Sequence, residues 1–314
     1  MKKICLLFFS LTFAVQWANA QEEAVFGHYM FNPVLINPGA TGFDAAHHNI
    51  FMNINSAWSN FPGAPQTYAL SYNGPIGKRL GLGGMVYTEN VASMTFYRAQ
   101  LNFAFRYEMN DFDISAGFAT QFHRMRVDNE GFTTSTLYDL DDDLLNLAMD
   151  GERVFDASLG AYGTYKEDVF FGISFPSLIR TRLDEIEGVR ESGSGLEFFT
   201  LHGGGNLKVK DYKINLQPSI LIKRLRNVPF QVDFNLLSTF LDDKLITGLT
   251  YTAGAGGDLG ITLGTKYNTV RFIYSYGLYF GNFQQYNGGS HEVTVNFQFN
   301  RSKGKFDRSR KYRK

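Results

Sequence analysis

The chain has 314 residues and a formal net charge of zero, with 30 Phe, 17 Tyr and 32 Gly but only 8 Pro. Its single cysteine, Cys5, lies near the start, which excludes a disulfide-stapled scaffold and thiol chemistry in the body of the protein. Beyond the first twenty residues no apolar run reaches the roughly 20 residues of a spanning helix, so a helical membrane protein is excluded as well.

In chain order, Lys2 and Lys3, the apolar stretch Ile4 to Val15 and the small-x-small triplet Ala18-Asn19-Ala20 predict an export signal over residues 1–20. The next segment, residues 21–47, contains "HYMFNPVLINPGATG" from His28 to Gly42. It is apolar enough for a core, yet Pro33, Pro38, Gly39 and Gly42 suit neither a helix nor a regular strand.

From there the dominant period is two. "YRAQLNFAFRY" sets Tyr97, Leu101, Phe103, Phe105 and Tyr107 against Arg98, Gln100, Asn102 and Arg106. "FQVDFNLLSTF", "VRFIYSYGLYFG" and "EVTVNFQF" alternate in the same way. Successive side chains of a strand point to opposite faces, so these are two-faced strands. Fourteen are predicted: 48–58, 66–76, 79–90, 94–108, 111–127, 152–166, 168–176, 195–209, 211–224, 229–241, 244–255, 258–267, 270–281 and 290–300.

A soluble sandwich also alternates. Three features favour an all-β antiparallel transmembrane barrel of the outer-membrane type: large aromatics up to the ends of the apolar faces, many strands of ten or more residues, and tight links alternating with longer ones. The tight links carry Gly77-Lys78, Asn110-Asp111, Glu167-Asp168, Lys210-Asp211, Asp242-Asp243 and Asn268-Thr269. In such a barrel Arg98, Arg106, Lys213, Lys223, Asp233 and Arg271 are expected to face the lumen, since a charge on the lipid face costs about 2–4 kcal/mol at midplane. They line either a charge-paired filling or a solute path.

Residues that carry chemistry are sparse. The six histidines have no metal-ligand spacing. Asp139, Asp141 and Asp143 are spaced like a calcium loop, but Leu144 stands where the turn glycine belongs and Asp150 where the closing glutamate belongs. A solvated acidic loop is the preferred reading, with calcium at Asp139–Asp143 the alternative. "ESGSGLE" is not a nucleophile elbow, and neither "GAGGD" nor "HGGGN" opens a helix that could hold a phosphate. No enzyme and no cofactor is expected. The last fourteen residues, 301–314, hold eight Lys/Arg and one Asp. In an exported barrel this basic tail meets no nucleic acid; it suits an acidic partner or anionic headgroups.

Two motifs carry a resemblance. Tyr29, Met30, Asn32, Asn37, Pro38 and Gly42 open the chain after the signal, and Trp58, Gly63, Ala64, Pro65 and Thr67 follow in the first hairpin. Together they resemble the PorP/SprF family of Bacteroidetes outer-membrane proteins, with His28 where that family commonly has Gln and Gly39-Ala40-Thr41 in place of Ala-Tyr-Ala. The resemblance implies a non-enzymatic barrel of the type IX secretion system. Its partners would be a secreted cargo or large surface adhesin, sometimes in gliding motility, and a periplasmic ring or peptidoglycan-binding lipoprotein. The competing reading is a fatty-acid-transporter-like channel, a class with fourteen strands and an Asn-Pro-bearing segment inside the barrel. The predicted layout is therefore a signal (1–20), a plug or lead-in (21–47) in or under the lumen, a barrel (48–300) and a basic periplasmic tail (301–314).

Overall fold

The structure is a computed structural model that describes residues 26–127, 151–166, 168–183, 195–209, 213–226, 228–241, 243–254, 257–280 and 288–301. Its strands are β1 His47–Ser56, β2 Gln66–Ile76, β3 Leu80–Val91, β4 Met94–Met109, β5 Phe112–Val127, β6 Glu152–Tyr165, β7 Val169–Arg182, β8 Phe199–Gly205, β9 Leu207–Val209, β10 Ile214–Arg224, β11 Gln231–Phe240, β12 Leu245–Ala253, β13 Asp258–Tyr267, β14 Val270–Tyr279 and β15 Ser290–Asn300. β8 and β9 both pair with β10 and are two parts of one stave interrupted at Asn206. Each stave pairs antiparallel with its sequence neighbour, and β15 pairs with β1 from His47↔Asn300 to Ser56↔His291. The result is a closed barrel of fourteen staves.

The alternation seen in the sequence decides which face is which. Asn49, Asn53, Ser71, Asn102, Ser115, Gln121, Ser174, Thr200, Thr262, Thr294 and Asn296 are buried inside. Met52, Leu70, Leu101, Phe103, Phe105, Phe234, Leu249, Leu263 and Phe272 are exposed on the outside. This inverts the arrangement of a water-soluble protein and is what a lipid-facing wall requires. A one-residue register slip would turn the whole aromatic set inward, so this pattern specifies the register strongly.

The six tight links share one end of the barrel. Each holds a residue with positive φ: Gly77, Asn110, Lys166, Lys213, Leu241 with Asp243, and Asn268. That left-handed conformation matches the twist of a short hairpin. Links at the opposite end are generally longer and include 57–65 and 128–151. β4 and β5 have 16 residues each, against 9 or 10 in β11 to β14. At ordinary rise and tilt, 16 residues reach about 40 Å and 10 about 25 Å, so the wall is taller on the β4–β5 side.

Two boundaries differ from expectation by more than three residues. β7 continues to Arg182 rather than stopping at 176, because β6 shifts register between Ala157 and Leu159, opposite Pro176. A bulge there lets the pairing resume beyond a residue that has no N–H to donate. Gly195–Glu197 form a one-turn 3-10 helix, and the eighth stave begins only at Phe199.

Candidate functional site: the N-terminal segment in the lumen

Residues 26–43 lie inside the barrel, folded as three one-turn 3-10 helices, Gly27–Met30, Pro33–Leu35 and Pro38–Ala40, and residues 44–46, with Asp44 and Ala46 exposed, lead into β1. Pro33 and Pro38 each open a turn, where a missing N–H costs nothing and a fixed φ helps. The backbone therefore satisfies much of its own hydrogen bonding by short-range turns, and wall side chains supply the rest.

The segment descends the lumen. At its start, near the long-link end, Gly27 N and His28 N donate to Glu292 Oε2 and Oε1 at 2.7 and 3.2 Å. The His28 ring Nδ1 lies 2.7 Å from Thr294 Oγ1. Phe26 packs against Met85 and Tyr87, with its ring edge-on to Tyr87. Tyr29, 2% exposed, donates its hydroxyl to Asp233 Oδ2 at 3.1 Å and accepts from Asn235 Nδ2 at 2.7 Å. Asp233 also accepts from Lys223 Nζ at 2.9 Å, so a buried ion pair anchors the tyrosine.

Lower down, Asn32 donates to Ser71 Oγ and accepts from Asn73. Asn37 donates to the carbonyls of Ala161 and Ile173 at 2.9 and 3.2 Å and accepts from Gly39 N at 2.8 Å. It thus ties β6 and β7 to the segment and caps its last turn. Ser174 and Thr200 donate to Ile36 O. Near the tight-turn end Arg106 donates to Phe43 O at 2.6 Å and to Lys78 O at 3.1 Å.

Burial depresses the His28 imidazole below its usual range, against a smaller opposing pull from Glu292. It pushes the Tyr29 hydroxyl well up, with Asp233 adding to the effect. At neutral pH both are uncharged, as a segment in a low-dielectric lumen requires.

Of the motif residues, Tyr29, Asn32, Asn37, Pro38 and Gly42 are buried and Met30 is half-buried. Gly42 has φ +60 and approaches the backbones of Gly74 and Gly81 so closely that a Cβ would overlap them. The second motif serves the rim instead. Pro65 O accepts from Ala57 N, Ala64 N donates to Phe61 O, and Gly63, at φ +75, accepts from Ala92 N on the neighbouring β3–β4 link. Trp58, half-exposed, donates its N–H to Ser290 Oγ, and Thr67 reaches Glu89. The β1–β2 link is thereby knitted to both of its neighbours.

Among the charges expected in the lumen, Arg98, Arg106, Lys223, Asp233 and Arg271 project inward from their strands. Lys213 does not. It is exposed in the link before β10 at φ +51, so it takes the turn's left-handed position instead of joining the pleat. Residues 1–20, Asp139–Asp143 and 302–314 lie outside the described residues.

Sequence reasoning missed the wall's half of the dock. A Cβ on Gly81 would overlap Thr41 O, one on Gly117 the Pro38 carbonyl, and one on Gly160 the Asn37 side chain. These glycines occupy inward positions of long strands, where a glycine weakens pairing and marks close approach of another backbone. That was the available signal.

A sequence model described as the type IX secretion system membrane protein PorP/SprF matches residues 18–297. The chain belongs to the PorP/SprF family. No curated protein matches it. Among solved structures, this PorP/SprF member is similar to the CymD monoaromatic hydrocarbon channel, at 12% identity and TM-score 0.54, over 91% of this chain and 94% of that one. The TodX deltaS2S3 mutant monoaromatic hydrocarbon channel is 8% identical at TM-score 0.47, over 85% and 93%. The KdgM porin is 13% identical at TM-score 0.35, over 80% and 99%. The first of these shares the fold of an outer-membrane barrel, and the likeness extends no further than that.

Proposed function

We propose that this PorP/SprF protein is a non-enzymatic outer-membrane component of type IX secretion in a Bacteroidetes-type bacterium. It would support export or surface attachment of a partner protein such as a large adhesin, in the manner used for gliding motility. The observation that carries this reading is the occupied lumen. Residues 26–43 are hydrogen-bonded to the wall from Glu292 to Arg106, which suits a partner-binding barrel better than an open pore. Residues 21–47 act as the plug, residues 1–20 are removed on export, and residues 301–314 meet an acidic partner in the periplasm. In this orientation the tight turns are periplasmic and the long-link rim, with Trp58, Gly63, Ala64, Pro65 and Thr67, faces outward. Calcium in the Asp139–Asp143 loop is a subsidiary possibility, tested by chelation.

Deletion of the gene tests the role. Loss of at least one type IX cargo from the surface supports it, and unchanged secretion and display of every cargo overturns it. Co-purification in detergent should recover the cargo or a periplasmic ring component.

The second reading is a channel for hydrophobic or small solutes, favoured by the placement of Asn37-Pro38 inside a fourteen-stave barrel. Single-channel recording decides between them: the intact protein should be silent, and a variant lacking residues 26–42 should conduct. Conductance by the intact protein would favour the channel.

A further inference from the structure

The outer wall carries two hollows on β2 and β3, one above the other. The lower is an apolar groove of about 650 Å³, whose outward lining includes Leu70, Val86, Leu101 and Phe122 around Gly84 and Ala99. Gly84 pairs with Leu101, and Ala99 lies between Val86 and Phe122. The groove is thus a place where bulk is missing from a wall of large side chains.

The upper hollow is polar, has a volume of about 430 Å³ and lies under the β1–β2 link. Its lining includes Ser56, Ser59, Asn60, Phe61, Gln66 and Asn90, with no charged side chain among the described residues. Ser56 pairs with Gln66, and Gln66 with Asn90, so these three form one outward row at the strand ends. Asn90 Oδ1 accepts from Thr95 Oγ1 at 3.0 Å, which leaves its NH2 as a donor. The side chains of Ser56, Ser59 and Asn60 make no hydrogen bond among the described residues.

Strand geometry aligns the two hollows. Val86 and Asn90 stand on one face of β3, and Leu70 and Gln66 on the same face of β2. Each pair is separated by about 13 Å along its strand. Between them stands Tyr68, exposed, with its hydroxyl 3.5 Å from Gln66 Oε1. An aromatic ring with its polar tip turned toward the rim marks the level where a barrel leaves the hydrocarbon. The groove therefore meets acyl chains and the pocket meets headgroups.

We propose that the two hollows together bind one glycolipid, with an acyl chain in the groove and an uncharged sugar ring in the pocket. Sugar hydroxyls both donate and accept, as do the carboxamides and hydroxyls of the pocket. Phe61 adds an aromatic face for the C–H side of a sugar ring. A phosphate headgroup would find no cation in the lining to form a charge-assisted bond. The site follows from the lipid-facing wall and does not depend on the secretion role.

The test is native mass spectrometry of the purified intact protein in detergent. The probes are glucosyl diacylglycerol, phosphatidylglycerol and diacylglycerol with matched chains, and maltose as a sugar without chains. Glucosyl diacylglycerol should be retained about tenfold better than the other two lipids. Q66A/N90A should abolish that preference, as the loss of two hydrogen bonds would. Gly84→Leu should weaken retention of all three lipids. A Cβ there meets Gln100 O and Leu101 Cδ2 at ordinary contact distances of 3.5 and 3.6 Å, so the change fills the groove without displacing backbone. Heat-modifiable gel migration reports whether each variant is folded. If Q66A/N90A fails to fold, N60A in the β1–β2 link should lower the preference about fivefold. Equal retention of the three lipids, or unchanged retention by the folded variants, overturns the site. Binding of maltose as tight as that of the glycolipid overturns the lipid as its occupant.

Discussion

Tyr29, His28 and Asn37 are held by hydrogen bonds that water does not share, so their energetics follow from what is left behind when one partner goes. Asp233 and Lys223 are both buried and 2.9 Å apart, with Tyr29 donating to the same carboxylate oxygen. Asp233→Asn strands a buried ammonium and should destabilise the protein by about 3–5 kcal/mol, read as the urea midpoint of gel-shift unfolding. Replacing both charges together, as K223M/D233L, should cost less, because no lone charge remains. For His28 the sign follows from its depressed imidazole. Above about pH 6.5 the ring is neutral whether the segment is docked or released. As pH falls through that value, the released form takes up a proton that the docked form resists. Docking is therefore weakened on the acid side and fully present on the alkaline side. Hydrogen-exchange protection of residues 26–43, corrected for the intrinsic pH dependence of exchange, should fall between pH 7.5 and 5 in the wild type, and His28→Gln should flatten the change.

Individual segments show why local reading succeeded for the wall and faltered for the filling. "YRAQLNFAFRY" could be placed as a two-faced strand because alternation is written in consecutive residues, and in β4 its aromatics are exposed while Asn102 and Arg106 are buried. The bulge that carries β7 past Pro176 and the turn that absorbs Lys213 were not visible. Each depends on the neighbouring stave: the first on the register of β6, the second on where hairpin twist demands a left-handed residue. The docking of Pro38 on Gly117 joins residues far apart in sequence; an inward glycine marks a close approach there but not which residue makes it. At this scale Gly117→Val is the informative change. Its side chain would overlap the Pro38 carbonyl, so the barrel should form while residues 26–42 are displaced. Faster proteolysis within that segment, with heat-modifiable migration retained, is the expected result.

For the molecule as a whole, closure matters most. Pairing β15 with β1 leaves no open edge among the described staves, which is the condition for a sheet to span lipid. The outside is then a lipid surface and the inside a polar one. Leu101 is 58% exposed at the middle of β4. Leu101→Arg should therefore cost about 2–4 kcal/mol of folding free energy in vesicles. The same substitution at an interfacial position such as Phe112 should cost little. Equal costs at the two sites would mean that the outer face does not meet a bilayer.

The sequence by itself determined the barrel, its stave count, its polarity and its family, because strand period, link length and two spaced motifs are all local properties of the chain. It also marked residues 28–42 as apolar and irregular, leaving open whether they sit in the lumen or beneath it. Only the tertiary structure decided that this segment runs along the inside from Glu292 to Arg106, and which wall glycines receive it. Those relations arise when fourteen staves close on themselves. Closure brings together inward positions that are separated by tens to hundreds of residues, and no local pattern encodes which of them will face one another.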